Sequence, residues 1–379
     1  LHKIRKMFST RNQLGIRFVS PSSASFYAAL KQRVDAHFTE NQLSKSGNTG
    51  LIVKTLVLFT GYLLPPVLVY TLNLPFAFSV PLWIFAGVSL AGIGMSVMHD
   101  AVHGAYSKNE RLNLVLGYFS LNMLGASLPN WKLQHNVLHH TFTNISKVDE
   151  DIDDKAMLRM SPHTKQKSIQ RFQWVYAFFI YGLTTLYWVS VKDFLQFARY
   201  RRNGVSKRSK KGDAIVLIRM ILMKLAYAFM LIVLPILLGY SALLVIGGFL
   251  IMHFTAGFIL TVIFQLAHTV EGTSHPLPDS SGTIENEWAI HQLNTTVDFS
   301  PNNRLLSWYC GGLNFQVEHH LFPKICHVHY PALSKIVSQT AQEFGLKHMV
   351  NPTFSEAFVS HVRTLKRFGH TPSLMDALD

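Results

Sequence analysis

Residues 76–98 read FAFSVPLWIFAGVSLAGIGMSVM and run directly into His99-Asp100-Ala101-Val102-His103. The run carries no charge, and at about 1.5 Å per residue it is long enough to cross a hydrocarbon core of about 30 Å. If the helix continues past Met98, His99 and His103 stand at i and i+4 and share one face. Neutral imidazole is the commonest metal ligand that proteins use. The stretch therefore reads as a membrane helix that delivers two metal ligands to the boundary of the bilayer.

Upstream, Leu51–Leu72 is apolar apart from Lys54 and holds Pro65-Pro66. Only Asn73-Leu74-Pro75 separates it from the second run, so the two form a helical hairpin. The prolines are tolerated where neighbouring helices cover the freed carbonyls. Downstream, Ala214–Ala267 is long enough for two more spans, about 220–239 and 243–266, turning at Gly239-Tyr240-Ser241. Leu112–Leu128 and Trp174–Val191 are also apolar, but the first is at the lower length limit. The second is aromatic-rich, lies between basic segments and suits an interface.

Composition agrees. Of 379 residues, 49% are apolar and only 15% charged, against about 25% charged in soluble domains. A net charge of +14 could point to nucleic acid. In a chain this apolar, it fits an anionic membrane face better. The first 50 residues are mixed and basic (Lys3, Arg5, Lys6, Arg11, Arg17, Lys31, Arg33), without the apolar core and small-residue cleavage site of a signal peptide. They read as a basic cytosolic arm. Cys310 and Cys326 form no CxxC pair and read as small buried hydrophobes.

Two further histidine clusters follow. His135-Asn136-Val137-Leu138-His139-His140 offers three imidazoles, with His135 and His139 on one face of a helix and His140 rotated by roughly 100°. An acidic run, Asp149, Glu150, Asp151, Asp153 and Asp154, comes soon after. The third cluster is Gln316-Val317-Glu318-His319-His320-Leu321-Phe322-Pro323. Any one pair could be a polar surface feature; three clusters beside spans or loops make a metal centre. His268 ends the fourth span at the same boundary as His99 and is the expected eighth ligand, with His291 a further candidate. Seven to nine imidazoles exceed what one centre uses, so two metals are expected. Imidazole alone leaves iron, zinc, copper and nickel open. Asp100 and Glu318 are read as partners for the other ring nitrogen of a ligand, and Gln316 as a weak oxygen ligand or a hydrogen-bond donor nearby.

Ligands from distant clusters must lie on one side of the membrane. An even number of crossings therefore separates His140 from His319, and Trp174–Val191 and Leu112–Leu128 are expected not to cross. Four spans result. The turns near Asn73 and Tyr240 carry no Lys or Arg, so the positive-inside rule puts the histidines and both termini in the cytoplasm.

These three clusters resemble the histidine boxes of the integral-membrane fatty acid desaturases. The third, with Gln316 in place of a first histidine and then Leu-Phe-Pro, resembles the front-end desaturases and their acyl-lipid and acyl-CoA relatives. The likeness runs from about Thr49 to Phe344. It implies an all-α integral membrane protein: four transmembrane helices, interfacial helices, and a cytoplasmic helical cap holding a di-metal site. It divides the chain into the arm (1–50), a desaturase domain (51–345) and a C-terminal cytoplasmic tail (346–379). It implies two iron ions, O2 as co-substrate, and removal of two hydrogens from a fatty acyl lipid or acyl-CoA to leave a cis double bond. Iron ligation is carried to His99, His103, His135, His139, His140, His319 and His320, then to His268 and His291. Many front-end members carry a fused cytochrome b5 domain with a His-Pro-Gly-Gly motif. His37-Phe38-Thr39-Glu40 does not match it, so a separate donor, ferredoxin or cytochrome b5, is expected. The basic strip Arg199–Lys211 reads as a membrane-surface anchor, with donor or CoA-phosphate docking as the other reading. Phe254, Gly257, Phe258, Gly87 and Gly92 are candidates for an acyl tunnel, against the plainer reading of helix packing.

Two competing readings remain at this point. A hydroxylase or ketolase could use the same metals. A polytopic zinc-dependent hydrolase or metal transporter would place ionisable groups in mid-span, where His253 is the one candidate.

Overall fold

The computed structural model describes residues 15–20, 25–152 and 157–373. Lys3, Arg5, Lys6 and Arg11 of the basic arm, and Asp153 and Asp154 of the acidic run, lie outside the described residues.

In chain order the elements are β1 (Arg17–Phe18), α1 (Phe26–Glu40), α2 (Thr49–Thr71), α3 (Phe76–His103), α4 (Glu110–Met123) and α5 (128–142). Then come α6 (Ser168–Gly182), α7 (Thr184–Arg202), α8 (Lys210–Leu237), α9 (Ala242–His268), β2 (Thr283–Ile284) and α10 (Trp288–Thr295). The last are β3 (Asp298–Phe299), α11 (Arg304–Tyr309), α12 (Gln316–Leu321), α13 (Tyr330–Glu343), β4 (Val350–Asn351) and α14 (Phe354–His370). Four of these helices, α2, α3, α8 and α9, are long and apolar enough to cross a membrane. The fold is the expected all-α membrane architecture, with two short parallel strand pairs, β1–β2 and β3–β4, added.

Glycines let α3 and α9 pack closely. A Cβ on Gly87 would lie 2.5 Å from the Met252 carbonyl oxygen, and one on Gly248 would lie inside the Trp83 ring system. At the end remote from the histidines, Tyr70 and Tyr240 pack ring against ring at 4.6 Å, and the Tyr240 hydroxyl donates to the Tyr70 carbonyl. The third span differs from its expected range. It begins ten residues earlier, at Lys210, because the Ser209 hydroxyl accepts the Gly212 N–H and caps the helix there. It is the most peripheral span, and its one inward cation, Lys224, is fully used. The ammonium bridges the Asp193 carboxylate and the carbonyls of Gly125, Trp188 and Val189.

Trp174–Val191 lies within α6 and α7, which bend by 57° at Leu183 and pack along α9. The bend keeps the segment from being one straight crossing helix. Leu112–Leu128 contributes the 14-residue α4, too short to span.

The described residues of the expected arm and tail pack against the rest of the fold. Phe26, Leu30, Val34 and Phe38 recur every four residues and bury one face of α1 against α13. Glu287 accepts from the Ser25 hydroxyl and from the Phe26 and Tyr27 amides, which seats the start of α1. Residues 346–373 pack in the same way. β4 pairs with β3, and His361 of α14 bridges the Tyr181 hydroxyl and the Thr269 carbonyl. Buried Arg159 holds the carbonyls of Phe368 and Thr371. The amphipathic period of α14 explains this: Ala357, His361, Leu365 and Phe368 all turn inward.

Candidate metal centre and acyl cavity

The helix that carries the first box widens before it delivers its histidines. Ile93–Met98 is π-helical, and His99–His103 follows as ordinary α-helix closed by Gly104 in the left-handed conformation. The second box lies in a longer π segment, Lys132–His139, rather than in the α-helix the spacing suggested. Such widened turns concentrate at functional sites. Here the widening lets the rings converge. His135 and His139 stack at 5.3 Å, and His140 meets His135 at 4.7 Å.

All the box histidines and His268 are buried and face one another. They form two groups of ligand atoms, His99, His103, His135 and His319 in one, and His139, His268 and His320 in the other. The ring of His140 lies between them, 4.5 Å from His319 and 4.4 Å from His320. Within the first group His99 Nε2 and His135 Nε2 are 3.1 Å apart, and His140 Nε2 lies 3.2 Å from His135 Nε2.

The outer nitrogens are held from behind. His139 Nδ1 lies 3.1 Å from both oxygens of Asp149 and 3.3 Å from Asp151. His320 Nδ1 meets Gln292 Oε1 at 2.8 Å, and His319 Nδ1 meets the Tyr330 hydroxyl at 3.1 Å. His268 Nδ1 faces the Thr295 carbonyl. Meanwhile Nε2 of His103, His139, His319 and His320 is buried without a hydrogen-bond partner among the described residues. Orphaned imidazole nitrogens that converge, each with its far side anchored, fit a metal pair. The electrostatics differ across the centre. Burial, then neighbouring imidazoles, pushes His135, His140, His319 and His320 well below the ordinary histidine range. For His139 burial also pulls downward, but the charge and hydrogen bond of Asp149, with Asp151 behind, prevail and raise it to about 9.

Some expected roles fall elsewhere. His291 is buried, and its Nε2 too has no hydrogen-bond partner among the described residues, but its ring packs on Phe18 at 5.0 Å and it joins neither group of ligand atoms. The helix turns its neighbour Gln292 to the centre instead, and adjacent helical positions differ by roughly 100°. Glu318 touches no ligand ring. It points from the opposite side of α12 towards Asp298 and His348. Asp100 does fix a histidine, but the wrong one: it accepts from His327 Nδ1 at 2.7 Å and from the Cys326 thiol. His327 Nε2 in turn lies 2.8 Å from Lys54 Nζ. Gln316 does sit at the centre, its Nε2 3.1 Å from His268 Nε2 and its Oε1 buried without a partner. Both cysteines are buried, as expected.

Sequence reasoning missed Asp149, Gln292 and Tyr330. For Asp149 a signal existed, an acidic run just after the second box; for the other two no spacing pointed the way. His253, the candidate for a mid-span pathway, is tied to the Tyr227 hydroxyl at 2.7 Å and to Thr185.

A cavity of about 600 Å³ reaches the centre at His135 and His268. Leu124, Ile180, Leu260 and Phe264 give it apolar walls, and Gln134, Glu150, Lys192, Gln196 and Arg199 line its polar part. The glycines and phenylalanines considered for a tunnel are not among its walls. Gly257 instead admits the Gly182 carbonyl of α6, and Phe254 covers Gly182.

Comparison with known proteins gives the same answer as the geometry. The family profile described as "Fatty acid desaturase" matches residues 75–352. An sn-1 linoleoyl-lipid 6-desaturase of Synechocystis sp. is 38% identical, over 91% of this chain and 95% of its own length. One of the same description from Arthrospira platensis is 34% identical, over 92% and 94%. An acyl-lipid (8-3)-desaturase of Physcomitrium patens is 32% identical, over 95% of this chain and 75% of its own. With its histidine centre set at the end of four apolar helices, the chain belongs to the fatty acid desaturase family and is a membrane oxidoreductase.

Proposed function

We propose that the protein desaturates the acyl chain of a membrane lipid at two iron ions. His99, His103, His135 and His319 would hold one ion. His139, His268 and His320 would hold the other, with Gln316 beside them and His140 between the two. The observation that carries this reading is the set of converging, partnerless Nε2 atoms next to an apolar cavity. Bound iron would supply the dioxygen chemistry that side chains lack. In the overall balance the acyl chain loses two hydrogens, and one O2, two electrons and two protons complete two waters. A ferredoxin or cytochrome b5 type donor would provide the electrons.

The protein's own part is orientation and exclusion. Asp149, Gln292, Tyr330 and the Thr295 carbonyl fix the rings that carry the ligand atoms, so the donors need no reorganisation. Trp131 packs on His135 at 4.3 Å, and Phe264 shields the same ring. The cavity walls confine one stretch of acyl chain beside His135 and His268, a proximity effect. The lipid-linked substrates in the relatives' names favour a glycerolipid over acyl-CoA. The absence of Lys and Arg from the two remote turns favours a cytoplasmic centre with both termini on that side.

The test is expression in a host of known lipid content, with donor and iron present and fatty acids read by mass spectrometry by lipid class. A product two hydrogens lighter, absent with His139→Ala, supports the reading. A product heavier by one oxygen would mean hydroxylation, and an unchanged profile would overturn desaturation.

A further inference from the structure

Behind the third box, on the side of α12 away from the histidine centre, lies a second cluster of ligand-type atoms. Asp298 of β3, Glu318 of α12 and His348, just before β4, bring one atom each within 4.8 Å of one another. Asp298 Oδ1 is occupied by the Val317 amide at 2.9 Å, which leaves Oδ2 facing His348 Nε2 at 2.9 Å. Glu318 Oε1 lies 3.7 Å from the same nitrogen. Asp298 and Glu318 are fully buried, and His348 is 6% exposed at its side chain. The Asp298 carboxylate and the Ser334 hydroxyl lie beside Glu318, yet neither Glu318 oxygen has a partner that meets hydrogen-bonding geometry among the described residues.

This arrangement asks for a cation. Two buried carboxylates with so few donors repel each other and lose hydration. A tetrahedral ion with bonds of about 2.0–2.2 Å sets its ligand atoms about 3.3–3.6 Å apart, and the two separations at His348 Nε2 bracket that range. Two carboxylates and one imidazole, with water completing the shell, match zinc. The neighbouring cluster of the same kind, Asp100, Cys326 and His327, differs in one respect. There Lys54 Nζ already supplies a cation, 2.8 Å from His327.

We propose that Asp298, Glu318 and His348 bind one zinc ion that is separate from the iron pair. The ion would tie β3, the β4 approach and α12 together. It would thereby fix the backbone that presents His319 and His320 to the opposite side. The other possible occupant is a proton shared between Glu318 and Asp298.

The test is elemental analysis of the full-length protein, purified in detergent without chelator from zinc- and iron-supplemented cells. The wild type should carry about one zinc per chain in addition to its iron. His348→Gln should lose that zinc, and Glu318→Gln, nearly isosteric and safe for folding, should lose it too. Zinc absent from the wild type, or retained in both variants because it sits in the histidine centre, would overturn the proposal and leave the shared proton. Zinc present and variant-sensitive without any iron would instead overturn the iron reading and leave this one standing.

Discussion

The two imidazole groups differ less in their ligands than in what stands behind them. In the group of His99, His103, His135 and His319, the anchor on His319 is the neutral Tyr330 hydroxyl. In the group of His139, His268 and His320, a fully buried carboxylate, Asp149, holds His139, and Asp151 adds a second charge. The first group has four imidazoles; the second has three, plus the amide of Gln316. A carboxylate behind an imidazole raises its basicity, which offsets the missing fourth ring. The pair is thus built asymmetrically, and each half should respond differently when its support is removed.

The largest effects should come from the proposed ligands. His139→Ala and His319→Ala should each reduce product to background, because a two-metal site cannot work with one half empty. Iron per chain should fall in both. If either variant keeps measurable turnover, the two groups are not one centre.

Next come the supports. Asp149→Asn should cost about 10–100-fold in activity or metal affinity. The loss should be partial for iron, with the His139 group emptying first. Tyr330→Phe removes a neutral hydrogen bond, worth about 0.5–1.5 kcal/mol, and should cost only several-fold. Equal losses in a side-by-side assay would sink the claim of asymmetry.

That contrast also marks what was legible in the sequence. The spans were readable because a crossing helix must be apolar throughout, and 76–98 admits no other reading. The boxes were readable because paired histidines at a membrane boundary have few other uses. The supports were not, because a hydrogen bond to Nδ1 comes from whichever residue the fold brings there. Gln292 and Tyr330 arrive from α10 and α13, 28 residues before His320 and 11 residues beyond His319 respectively. Asp100 and Glu318 looked better placed only because they adjoin ligands in sequence, and adjacency on a helix means a different face. The packing of the terminal segments was not legible for a related reason. Their apolar periods are short, and their partners, α13 for the first and α6 with α9 for the last, are remote in sequence.

The cavity touches both groups, at His135 and at His268, so narrowing it should affect chemistry without distinguishing them. A Cβ on Gly94 would approach Leu124 and Leu260 to 3.2 and 3.3 Å. Gly94→Ala therefore forces both leucines to give by a few tenths of an ångström. Iron content should stay at the wild-type value, while turnover falls by roughly 2–10-fold, in line with about 0.5–1.4 kcal/mol. Longer acyl chains should suffer more than shorter ones. Loss of iron in this variant would mean that the cavity wall, and not its contents, holds the centre together.

The smallest effect on activity should come from α14, which carries none of the residues that hold the Nδ1 atoms. Leu365 is fully buried on its inner face. Leu365→Ala removes one methine and two methyl carbons and leaves a void, which costs about 2–5 kcal/mol in a packed core. The expected readout is a lower thermal unfolding midpoint in detergent, with iron per folded chain and turnover per folded chain unchanged. One route from Leu365 to the centre runs through His361, whose Nδ1 donates to the Thr269 carbonyl and whose Nε2 accepts from the Tyr181 hydroxyl, and Thr269 adjoins His268. If Leu365→Ala emptied the His139–His268–His320 group alone, that route would be a second support of the carboxylate-backed half. The asymmetry would then reside in the whole C-terminal helix rather than in Asp149.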